Sequence, residues 1–121
     1  MLRTLAILFG VIFVIIGILG FLPDFTPQGK LLGLFEVNTV HNIVHIATGV
    51  IALLAGLSGS SSAKFFFIIF GLVYGAIAAW GFYTGEVMLF GLIANNTADN
   101  WLHTGIAAVS LYIGFAFPSR Y

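Results

Sequence analysis

A chain of 121 residues that is 60% hydrophobic and only 7% charged has room for one domain and has membrane composition, far from the roughly one-quarter charged share of soluble domains. Four basic residues balance four acidic ones, which excludes a basic face for nucleic acid and a polybasic lipid-binding tail. The absence of cysteine excludes disulfides, thiolate nucleophiles and thiolate metal sites, and leaves the redox compartment unencoded.

Four apolar runs follow one another, each near the roughly 20 residues that cross about 30 Å of hydrocarbon. The first, residues 4–22, begins after Arg3 and resembles the core of a signal peptide. No small-residue cleavage site follows it, and Pro23-Asp24 marks a stop and turn, so a retained helix is expected. The next loop holds a short apolar piece, Leu31-Leu32-Gly33-Leu34-Phe35, which either extends the following helix outward or lies along the interface. Asn38-Thr39 supplies N-cap side chains for the second run, residues 39–57, whose Gly49, Ala52 and Gly56 form a small face for close packing. Ser58-Gly59-Ser60-Ser61-Ser62-Ala63 is expected to be a short flexible turn. The third run, residues 64–83, carries Gly71, Gly75 and Ala79 at small-xxx-small spacing. A second outer loop with Glu86 and the apolar Met88-Leu89-Phe90-Gly91-Leu92-Ile93 leads to Asn96-Thr97, which cap the fourth run, residues 97–117. Asp99 in its first turn suits the positive end of the helix dipole.

Lipid offers the backbone no hydrogen bonds, and four helices satisfy theirs internally without exposed edges. The expected fold is therefore an all-α integral membrane protein, one domain over residues 1–121 with four transmembrane helices. Arg3, Lys64 and Arg120 flank one side and only Lys30 the other, so both termini and the serine-rich turn are expected in the cytoplasm. Trp80, Tyr83 and Trp101 then fall at the outer boundary, where amphipathic rings settle.

The strongest internal signal is a repeat. Asn38-Thr39-Val40-His41-Asn42-Ile43-Val44-His45 returns 58 positions later as Asn96-Thr97-Ala98-Asp99-Asn100-Trp101-Leu102-His103. Phe9-Gly10 and Gly20-Phe21 likewise return 61 positions later as Phe70-Gly71 and Gly81-Phe82. The simplest account is a duplicated helical hairpin, about 4–57 and about 64–117, its halves related by a pseudo-two-fold axis along the membrane normal. Such an axis sets Asn38, His41, Asn42 and His45 opposite Asn96, Asp99, Asn100 and His103 in the outer half of the bundle. They should face inward, because ionisable groups facing lipid are costly.

Several chemistries fit that cluster. His41, His45, His103 and Asp99 suit a divalent metal such as zinc, iron or copper, with His at i and i+4 sharing one cation. A single imidazole, from His45 or His103, would serve as an axial ligand to haem or a chlorophyll. In a purely structural account, Asn38, Thr39, Asn42, Asn96, Thr97 and Asn100 cap helices and bond across them, fixing the register of the two hairpins. A polar pocket for a small substrate or for proton transfer is the fourth option. Catalysis has little support. His41-Asn42-Ile43-Val44-His45 has the outline of a zinc-protease motif but carries Asn where the catalytic Glu belongs, and there is no Gly-x-Ser-x-Gly elbow. No enzyme is expected.

Leu31 to Asn38 followed by His41-Asn42-Ile43-Val44-His45, and then Asn96 to His103, resemble a bacterial family of small four-helix membrane proteins known only as a domain of unknown function. The resemblance spans nearly the whole chain and implies a four-crossing protein of the bacterial inner or photosynthetic membrane. It implies no activity, ligand or catalytic residue. Members in photosynthetic bacteria bring a photosynthetic or respiratory complex into view. The sequence-level expectation is a non-enzymatic accessory or assembly subunit that contacts lipid and either partner subunits or copies of itself. The alternative is a metal-, haem- or chlorophyll-binding membrane protein.

Overall fold

The structure, a computed structural model, describes residues 1–119. Its order is α1 (Leu2–Leu19), two single turns of 3-10 helix (Pro23–Phe25 and Pro27–Gly29), β1 (Lys30–Leu31), β2 (Phe35–Glu36), α2 (Thr39–Ser58), α3 (Ser60–Thr84) and α4 (Thr97–Ala116). All four helices lie close to the expected runs, and three of them, α1, α2 and α3, are long and apolar enough to cross a membrane. The fourth matches α2 in length, but Asp99, Asn100, His103 and Thr104 crowd its first two turns and lower its apolar character.

One local expectation gives way, and one of two alternatives left open is removed. The serine-rich stretch is not a flexible turn, because only Gly59, at φ 154°, separates α2 from α3. Ser58 Oγ folds back to donate to Leu54 O at 2.8 Å, and Ala63 N already donates to Gly59 O at 3.1 Å, so helix resumes at once. The apolar loop pieces do not extend the following helices either. Each closes a tiny antiparallel turn, with Leu31 paired to Phe35 in one and Leu89 bridged to Ile93 in the other. The central residues Leu32-Gly33 and Phe90-Gly91 all have positive φ, the backbone pattern whose twist matches flanking strands. This geometry turns Leu31 and Leu89 into the protein, where both are buried.

Packing is tightest within sequential pairs, α1 along α2 and α3 along α4. Gly10 and Gly49 cross so closely that a Cβ on either would lie 2.7 Å from the carbonyl oxygen of the other. On α3 the buried face runs Gly71, Tyr74, Ala78 and Gly81, while Ala79 is exposed. The strict four-residue spacing drifts about 40° per step around a helix of 3.6 residues per turn, which carries Ala79 off the contact. Between the pairs, Leu2, Ala6, Ala52, Ala63, Phe66 and Phe67 form the main core, with Phe9 stacked on Phe13 at 4.2 Å.

Two basic side chains, Arg3 and Lys64, close helix ends. Arg3 Nε donates to Gly56 O at 2.8 Å and Arg3 Nη2 to Leu57 O at 3.1 Å. Lys64 Nζ donates to Phe117 O at 2.8 Å and also to Gly114 O. Cations at helix C-termini satisfy orphan carbonyls and oppose the negative dipole end. Arg120, counted above with the same flank, lies outside the described residues.

Candidate metal centre

The site is built where α2 and α4 begin. Asn38 Oδ1 accepts from His41 N at 2.9 Å, and Asn96 Oδ1 accepts from Asp99 N at 2.9 Å. In the second case Asp99 Oδ2 also accepts from Asn96 N at 3.0 Å, which completes a capping box. The same two asparagines tie the pairs together, since Asn38 Nδ2 donates to Leu92 O and Asn96 Nδ2 to Leu34 O, each at 2.9 Å. Thr97 Oγ1 donates to Glu86 Oε1 at 3.1 Å, while for Thr39 no side-chain bond is found among the described residues.

The two remaining asparagines serve their own helix pairs. Asn42 lies against Gly20, just past the end of α1, and Asn100 against Gly81 of α3, each filling space that a side chain on the glycine would take. Asn100 Oδ1 also accepts from Asn95 Nδ2 at 2.9 Å, a partner the repeat does not reveal because Val37 holds the matching place. These bonds and close contacts fix the depth at which the histidines enter.

His41, His45 and His103 converge. All three are buried, and each offers a ring nitrogen such that these atoms lie within 4.8 Å of one another. Ring centroids are 4.7 Å apart for His41 and His45 and 5.9 Å for His41 and His103. A cavity of about 20 Å³ lies among them, bounded also by Val44, Tyr74, Ile77, Leu89 and Ile93. Asp99 is absent from this group, for its Oδ2 is engaged at the helix start, and its buried Oδ1 has no partner among the described residues.

The hydrogen bonds favour ligation chemistry. His41 Nδ1 stands 2.9 Å from Glu36 O, and a carbonyl only accepts, so the proton of a neutral ring sits on Nδ1. The lone pair of Nε2 is then free, and that atom is buried without a partner among the described residues. Backbone carbonyls orient metal-bound imidazoles in this way. Both ring nitrogens of His45 and Nδ1 of His103 are likewise buried and unpartnered among the described residues. Unsatisfied buried polar atoms each cost on the order of 1–3 kcal/mol, a cost that a bound ion or an ordered water would relieve. The space of about 20 Å³ among the three rings is too small for a macrocycle.

Sequence reasoning did not single out Tyr74, whose ring centroid lies 5.6 Å from that of His103 and whose hydroxyl is 3.3 Å from Thr48 Oγ1. The signal was present in the repeat, because Tyr74 stands where the first copy has Phe13.

The family described as Domain of unknown function (DUF4383) matches residues 3–116. No curated protein and no solved structure matches the chain.

Proposed function

The chain belongs to that family, and on this premise we propose that it is an integral membrane protein of four crossings that holds one transition-metal ion on His41, His45 and His103. The observation that carries the reading is the convergence of three buried imidazoles, each with a ring nitrogen within 4.8 Å of those of the other two, one ring being oriented by the Glu36 carbonyl. An all-imidazole set suits zinc, copper, iron or nickel, and three protein ligands leave a fourth position open. Tetrahedral bonds of about 2.0–2.1 Å set nitrogens roughly 3.4 Å apart, so the rings close inward by about an ångström on loading.

The bilayer reading draws support from the apolar outer faces of α1, α2 and α3 and from the inward placement of nearly all buried polar groups. The fourth crossing is supported by the packing of α4 along α3 and by its match to α2 in length. A duplicated hairpin about an axis along the membrane normal is supported by contacts that recur residue for residue. Gly20 against Asn42 corresponds to Gly81 against Asn100, and Arg3 on Gly56 to Lys64 on Gly114. Arg3 and Lys64 mark the end we assign to the cytoplasm of a bacterial cell. An accessory role in a larger complex has only small size and apolar flanks behind it, which lipid satisfies equally.

Metal analysis of protein purified in mild detergent without added chelator tests the reading. Wild type should carry about one transition-metal ion per chain, and His45→Ala with His103→Ala should carry none. A monodisperse, helical wild-type protein free of metal, and unable to bind zinc or copper on titration, would overturn it.

A further inference from the structure

The two outer turns are copies at the repeat offset, yet they differ in charge. Lys30 and Glu36 face each other at the base of the first, whereas the matching places in the second hold Met88 and Ala94, and no charged residue falls between Glu86 and Asp99. The second turn also folds back along the flank of α3, where Leu89 and Phe90 share a groove of about 240 Å³ with Ala76, Ile77 and Trp80. Counted from Lys64 at the other end of α3, the roughly 20 residues that cross hydrocarbon reach Thr84. At about 1.5 Å per residue, Trp80 and Ala76 lie about 6 Å and about 12 Å short of that point, so the turn reaches below the outer end of the helix beside it. Leu89 is its buried root, while Met88, Phe90 and Leu92 are exposed, Phe90 by 73%. Phe90 holds φ 55°, where glycine or asparagine would sit with less strain, and the turn nonetheless carries an aromatic ring there.

We propose that the second outer turn is a lipid anchor, its backbone lying where the headgroups of the outer leaflet meet the acyl chains and its Met88, Phe90 and Leu92 side chains entering the acyl layer. Apolar faces of this kind enter the boundary by about 5–10 Å, which agrees with the level of Trp80 and Ala76, and the Trp80 ring itself suits that boundary. Irregular backbone is costly near hydrocarbon unless its polar groups are bonded within the protein. Here Leu89 N donates to Ile93 O, Ile93 N and Leu92 N to Leu89 O, and Gly91 N to Met88 O, at 2.9 to 3.1 Å. Asn38 Nδ2 reaches over from the other hairpin to satisfy Leu92 O. The first turn carries the charged pair at its base, which that layer opposes, so the anchor is assigned to the second turn alone. The depth rests on the bilayer reading above.

Spin labels test this in the full chain, which has no cysteine of its own, reconstituted in nanodiscs that hold one chain each. Phe90→Cys and Leu92→Cys probe the turn, Leu72→Cys probes an exposed position midway along α3, and Gly29→Cys probes the water side. Each label is read by its collisions with oxygen, which concentrates in lipid, and with a water-soluble nickel chelate. The labels at positions 90 and 92 should meet the chelate about tenfold less often than the label at position 29, and should report a depth between it and the label at position 72. Turn labels that meet the chelate as often as the label at position 29, with position 72 still in lipid, would overturn the anchor and leave the crossings standing. The turn would then be a water-facing patch for a second copy or another protein. A label at position 72 that meets the chelate freely would overturn the bilayer reading and the anchor together.

Discussion

At the scale of single residues, the site depends on how close its asparagines lie to glycine. The space a β-carbon of Gly20 would need is held by the Asn42 amide, and that of Gly81 by the Asn100 amide. Gly20→Ala and Gly81→Ala should each destabilise the fold by about 1–3 kcal/mol, the usual cost of overpacking a close-fitted site. Thermal unfolding in detergent, followed by circular dichroism, measures this, and unchanged midpoints would refute the tight fit. At Gly105, where an added Cβ meets nothing within 4 Å, the same substitution should leave stability unchanged or raise it slightly. The histidines and asparagines were legible because polar groups stand out in an apolar run and recur at a fixed offset. Tyr74 was not, since a tyrosine among phenylalanines carries no periodic mark until its hydroxyl is seen beside Thr48.

At the scale of elements, Asn38 and Asn96 each hold two jobs, capping a helix start and tying the opposite loop through its Leu92 or Leu34 carbonyl. Loss of an asparagine cap costs about 1 kcal/mol, and the cross-loop bond adds a similar amount. Asn96→Ala should therefore cost roughly 2 kcal/mol and exceed Thr97→Ala, whose hydroxyl only meets Glu86 at an exposed position. Equal losses in chemical unfolding would show that the cross-loop bond adds nothing. Helix starts were legible from these caps. The loops were not, because positive φ at Leu32 and Phe90 is imposed by closing a turn that buries Leu31 and Leu89, and neither residue type prefers that backbone. The serine-rich connection misled for the opposite reason. Serine composition suggests freedom, yet three serines opening a helix after Gly59 leave one residue to do the turning.

At the scale of the whole molecule, the account makes the end bearing Arg3 and Lys64 cytoplasmic. The chain has no cysteine, so single substitutions report sidedness cleanly. Ser61→Cys should be labelled by a membrane-impermeant maleimide only in inverted vesicles, and Gly29→Cys only in intact spheroplasts; the reverse pattern would invert the topology. The four helices were legible because long apolar runs free of breakers close their backbone hydrogen bonds internally as helix. The sequence set His41, His45 and His103 facing one another, and their nitrogens do come together; what it could not show was the separation of Asp99 from them, whose carboxylate is taken up by the helix start. X-ray absorption at the edge of the bound metal tests that convergence most directly. The expected spectrum has a nitrogen shell at about 2.0–2.1 Å with the multiple scattering of three imidazole rings, reduced to two in His41→Phe. An oxygen-dominated shell, or a spectrum that His41→Phe leaves unchanged, would contradict it.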